Sequence, residues 1–285
     1  MRNRFIGSMF GVGLVLAVTS AVTVVWLTEQ SAEGQARGQG AQTRPAYRAP
    51  RTPDGKPNLN GIWQAMGSAH WDLQDHAAKN TPVVAMGALG AIPAGIGIVE
   101  GGEIPYRPEA LTKKRQNEAK WLELDPVVKC YMPGVPRANL MPFPFQIVQT
   151  PTHILVAYEF ASASRTIYMN SKDESPADAW MGWSTGRWDG ESLVVDVTAN
   201  IDQTWLDAAG NHHSDAMKVT ERWTASSPDH LLYEATIEDP KTFTRPWKIS
   251  TPLYRRIERN AQLLEFKCVE FVEELLYGHL RKRTN

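Results

Sequence analysis

Residues 202–215 concentrate the side chains that move protons: Asp202, Asp207, His212, His213 and Asp215, with Trp205 among them. A carboxylate beside an imidazole fixes the ring tautomer and raises its basicity, so Asp207 and His213 would make an acid–base couple. Glu221 follows, next to Arg222, on a run that reads as a strand. Adjacent strand residues face opposite ways, so one of the two points inward. Glu221 is therefore a third candidate for acid–base work. An inward Arg222 would need a buried partner. The plainer alternative is a turn in which Asp207 and Asp215 cap the backbone and His212 is exposed.

Tryptophan is abundant, with 10 in 285 residues, and six fall between Trp180 and Trp247. Most of that bulk serves packing. Trp183 and Trp205, on loops, are the candidates for a pocket, with Arg222 and Tyr233 as further ligand contacts. Indoles lining a cavity suit a hydrophobic or aromatic ligand. Gly182-Trp183-Ser184-Thr185-Gly186 matches G-x-S-x-G, and Asp207 and His213 follow in hydrolase order. A nucleophile elbow needs a helix after the serine. Here a Trp-Asp-Gly hairpin follows, so the match reads as a loop entering a strand. Metal ligation needs convergent side chains, and no H-x-H or HExxH run occurs. His70, Asp72 and His76 form only a loose cluster. Neither a metal nor another cofactor is expected.

The elements that must carry these residues are mostly strands. Alternating runs fall at 61–64, 145–149, 153–160, 165–169, 185–188, 192–198, 217–224, 231–238, 247–253 and 263–271. Asp189-Gly190 and a Ser-Ser-Pro-Asp stretch supply hairpin turns. The spacing predicts a mainly β fold: an antiparallel barrel of about ten strands. Pro108-Glu109 opens a helix over 108–124, and 272–280 reads as a short closing helix. Residues 83–102 are apolar but broken by glycines, either a flap or a loop packed on the barrel.

The chain has 285 residues, 42% hydrophobic, with a formal charge of −1. That allows a sizeable core and supplies no basic stripe for nucleic acid. Arg2 and Arg4 precede an uncharged apolar run over 5–27, as in a signal peptide or an inner-membrane anchor. Residues 28–57 read as a flexible linker and 58–285 as a single β-barrel domain. A periplasmic or secreted location follows, with or without anchoring through 5–27. Cys130 and Cys268 would pair in such an oxidising space, or remain two unpaired thiols.

Gly61-Ile62-Trp63 at the head of the first strand resembles the opening of the lipocalin and calycin barrels. The resemblance implies a Trp that plugs the closed end, with an arginine closing over it; Arg222 is the candidate for that role. The stretches Arg51-Thr52-Pro53-Asp54-Gly55, WMGWSTGRWDGESLVVDVT, DQTWLDAAGNHHSDAMKVTERW and ATIEDPKTFTRPWKISTPLYRR resemble a widespread family of exported bacterial proteins. That resemblance implies export and no particular reaction. A His-Pro-His run is common at its 211–213 position. Here the run is Asn211-His212-His213, which points to His213 as the histidine to test. Two functions follow as expectations. One is extracytoplasmic binding of a hydrophobic or aromatic small molecule. The other is a lyase, isomerase or hydratase on the same barrel, using the Asp/His couple; a purely structural envelope protein is the third.

Overall fold

Period-2 alternation builds the sheet. In the strand His230–Glu238, Leu231, Tyr233, Ala235 and Ile237 are buried and the residues between them are not. A computed structural model describes residues 47–81 and 91–266. These residues fall in a compact unit that begins at Pro45. Among them are strands β1 (Gly61–Ala65), β2 (Phe145–Gln149), β3 (His153–Tyr158), β4 (Ser164–Met169) and β5 (Trp183–Asp189). β6 (Ser192–Thr198), β7 (Lys218–Ser227), β8 (His230–Glu238) and β9 (Trp247–Arg255) follow. They form a closed barrel in sequence order, with β1 bonded to both β2 and β9. Closure leaves no edge strand open.

Several expectations are corrected. The barrel is mixed, because β4 and β5 pair in parallel while the other neighbours are antiparallel. Residues 170–182 are long enough to carry the chain back along the barrel, as a parallel pair requires. The barrel closes with nine strands, β9 bonding back to β1. Residues 263–266 are not a strand, and 267–271, with the expected 272–280 helix, lie outside the described residues. The helix over 108–124 is divided into α1 (Pro108–Ala119) and α2 (Trp121–Leu124), broken where Lys120 leaves helical geometry at φ −128°. Residues 47–57, read as linker, are folded. Ala49 is buried and Arg51 bridges to Pro57. The 5–27 segment and Cys268 lie outside the described residues. No helix among the described residues is long and apolar enough to cross a membrane.

The registers give the barrel two unlike ends. One carries tight turns, including the Asp189–Ser192 hairpin, where Gly190 has φ +59°. Here Trp63 is buried, and the Arg255 guanidinium lies 4.1 Å from its ring centroid. Gly61 explains the Gly-x-Trp spacing. Its φ is +145°, and an added Cβ would stand 2.1 Å from Arg255 Nη1.

The other end carries the long connections 66–144, 199–217 and 239–246. Residues 133–141 form a wholly buried plug there, which includes the 3-10 turn Arg137–Leu140. Arg137 grips Asp125 through two hydrogen bonds of 2.7 Å, both side chains buried. Of the 83–102 stretch, 83–90 lies outside the described residues; Ile92 and Gly95 pair with Lys79 and His76, and Ile98–Glu100 run along β9, with Val99 bridged to Ile249. α1 is mostly polar and buries Ala110 and Asn117. It approaches the 199–217 loop closely at Gly210, where an added Cβ would lie 2.6 Å from the Glu118 nitrogen.

Candidate functional site

Asp207 is fully buried in the 199–217 loop. Its Oδ1 accepts from the Ala209 and Asn211 backbone nitrogens at 3.0 and 3.2 Å. Its Oδ2 accepts from the Leu73 nitrogen at 2.9 Å and from Asn211 Nδ2 at 2.6 Å. Burial and the neighbouring Asp72 push its carboxyl up to about 7, against the pull of the Asn211 and Leu73 donors. Asp207 therefore fastens Leu73 to residues 207–211.

His213 does not meet Asp207 in a hydrogen bond. Its Nδ1 lies 2.8 Å from the Ser214 carbonyl, which can only accept, so Nδ1 carries the proton. Its Nε2 then accepts from the Thr204 hydroxyl at 2.7 Å. Burial holds its pKa below the ordinary value and keeps the ring neutral. The acid–base couple expected from sequence is thus two separate structural anchors.

His212, expected to be exposed in the turn reading, is buried. It bridges to Trp205 and stacks on Tyr106 at 5.8 Å. Asp215 is exposed and pairs with Lys241 at 2.7 Å.

Glu221 is the inward member of its pair. It meets Arg165 of β4 inside the barrel at 2.8 Å. Its Oε1 also accepts from Tyr233 at 2.8 Å and from Asn139 of the plug at 2.8 Å. Tyr158 donates to Asn139 Oδ1 at 2.7 Å. Burial pushes Tyr158 up to about 12 and Tyr233 well above its ordinary value, so both stay protonated donors. Glu221 and Tyr233 thus belong to a lumen network rather than to the loop. Arg222 points outward and bonds Asp189 at 2.6 Å, so the arginine over the buried Trp is Arg255. Trp183 lies on the outer wall, stacked on Tyr168 at 4.4 Å, with its Nε1 donating to the Asp173 carbonyl. Ser184 faces Arg165 from within β5, which runs on into the Asp189–Ser192 hairpin rather than into a helix.

The seven candidates therefore divide among three places: the loop end (Asp207, His213, Trp205), the lumen (Glu221, Tyr233) and the outer wall (Trp183, Arg222).

A cleft of about 260 Å³ opens where α1, α2 and the 66–80 segment meet the 199–217 loop. Trp71 and Trp121 form one wall, edge to face with centroids 6.0 Å apart. Ala208 and Ala209 line it next to Asp207, and Ile92 adds a further apolar contact. Asp72, His76, Lys79 and Glu118 supply its polar surface. Lys79 and Lys114 both bind Glu118, at 2.9 and 2.7 Å. No group of His, Cys, Asp and Glu among the described residues is arranged to hold a metal ion.

Sequence reasoning missed Trp71, Trp121, Arg165, Asn139 and Arg255. One signal was available for Arg165. It shares the β4 core face with Ile167, as Glu221 shares the β7 core face with Val219 and Trp223. Opposite charges on two apolar faces need each other. No comparable local signal marks Trp71 and Trp121, which meet only through folding. No family model matches this chain, and no curated protein matches it in sequence.

Proposed function

We propose that this protein binds a small hydrophobic or aromatic molecule outside the cytoplasm, in the cleft at the loop-bearing end of its barrel. The observation that carries the reading is the cleft itself. Its paired indoles and alanine lining are apolar, and a few polar groups stand at fixed places, the usual composition of a ligand site. Asp207 supports it by tying together the chain segments on two sides.

The Gly-x-Trp opening with Arg255 stacked on Trp63 supports a lipocalin-like barrel. The lumen is filled by Trp223, Phe145 and the Arg165–Glu221 network, which favours the end cleft as the binding place. Export is supported by Arg2, Arg4 and the apolar run behind them. The lyase, isomerase or hydratase reading draws no support from His213, whose ring nitrogens are both engaged within the loop.

Native mass spectrometry of protein purified from its own cell envelope tests the proposal. A bound small molecule should be retained, released on denaturation, and lost from the Trp121→Ala variant. A ligand held equally by that variant would overturn the assignment to this cleft.

A further inference from the structure

The charges of the cleft narrow the ligand class, on the premise that the cleft is the binding site. Asp72 accepts one hydrogen bond, from the Gln74 nitrogen to Oδ1 at 3.0 Å. Its Oδ2 has no donor among the described residues. A partly buried carboxylate lining the same cleft as two indoles is a natural partner for an ammonium group, which the ring faces also attract.

The opposite sign is present as well. Glu118 is a single carboxylate shared by two lysines, and Asp72 lies close enough to act on both of them, so the two acids and two lysines of the cleft balance. Lys79 is the lysine that lines the cleft, and its side chain is half exposed. A singly charged guest, cationic or anionic, would upset that balance, whereas a guest with one charge of each sign keeps it and answers both Asp72 and Lys79. We infer that the cleft takes a small aromatic ligand carrying both an ammonium and a carboxylate, of the aromatic amino-acid type. The ring lies against Trp71 and Trp121, the ammonium meets Asp72, and the carboxylate meets Lys79.

Isothermal titration of the full chain with indole, tryptamine, indole-3-propionate and L-tryptophan separates the contributions. L-Tryptophan should bind about tenfold or more tightly than either singly charged probe, the gain expected of one additional charge-assisted contact. Asp72→Asn keeps the Oδ1 acceptor for Gln74. It should bring L-tryptophan down to the level of indole-3-propionate. Lys79→Met should bring it down to the level of tryptamine. Both variants should melt like the parent.

Equal binding of all four probes, or a preference for one singly charged probe over L-tryptophan, would overturn the ligand class and leave the cleft as a binding site. Absence of binding by all four also overturns the class. The cleft then stands or falls on whether a native ligand is lost from Trp121→Ala.

Discussion

Arg165 on β4 and Glu221 on β7 meet inside the barrel 2.8 Å apart, with side chains 2% and 0% exposed. Two non-adjacent strands are thereby tied through the lumen, and the Asn139 plug is tied to the same carboxylate. Removing one partner strands a buried charge, which costs about 3–5 kcal/mol. Glu221→Leu and Arg165→Met should each lower stability by roughly that amount. The double variant should recover much of the loss, because an apolar pair of similar volume replaces both charges. Urea unfolding of the three variants measures the coupling, and additive losses would contradict a direct pair.

Gly61 and Arg255 make a second pair. At φ +145° a side chain is strained, and a Cβ would stand 2.1 Å from Arg255 Nη1. Gly61→Ala should displace the guanidinium from Trp63 and lose its 2.8 Å bond to the Asn60 carbonyl. A loss of about 1–3 kcal/mol is expected from backbone strain alone. In an Arg255→Ala background the same substitution should cost less, since the clash is gone. Equal costs in both backgrounds would assign the whole penalty to the backbone.

Asp207→Ala should damage the cleft as well as the fold. It leaves the Leu73, Ala209 and Asn211 donors buried without an acceptor. Each such group costs about 1–3 kcal/mol. Amide exchange should rise at residues 71–73 and 207–211 together, because one carboxylate holds both. Protection lost in only one of the two segments would argue against this linkage.

Burial lowers His70 and His212 from 6.5 to about 4. The stability they contribute as neutral rings is present above pH 6.5 and is lost as pH falls toward 4. Asp207 has the opposite sign: raised from 3.8 to about 7, it contributes most below 3.8 and loses that contribution as pH rises through 7. Asp72, also raised, and His213, also lowered, act in opposite senses. Two histidines outweigh one aspartate, so the melting temperature should fall between pH 6.5 and 4. A rise over that interval would show that the carboxylates dominate.

Cys130 and Cys268 are the chain's two cysteines. In an exported protein they should be paired, and the intact mass should then be lower by the two thiol hydrogens. Closing a loop longer than 100 residues is worth about 5 kcal/mol in the chain-entropy picture, so reduction should lower the melting temperature. Free thiols in the oxidised preparation would remove the pairing.

The strands at 145–149 and 192–198, the Asp189-Gly190 hairpin and the start of α1 at Pro108 were all legible in the sequence. Each is set by local chemistry: side-chain alternation, a glycine able to take positive φ, a proline suited to a first helical turn. Alternation also fixes which way a residue faces, so one of Glu221 and Arg222 had to point inward. It does not say what stands opposite. Only closure of the barrel placed Arg165 across from Glu221, and only the return path of residues 170–182 made β4 and β5 parallel. The dense Asp/His loop was visible as composition. Its hydrogen bonds depend on Leu73, Thr204 and the backbone of residues far from it or folded back on it. The tertiary structure therefore turned Asp207 and His213 from a couple into separate supports. It also brought Trp71 and Trp121, fifty positions apart, together in one wall of the cleft.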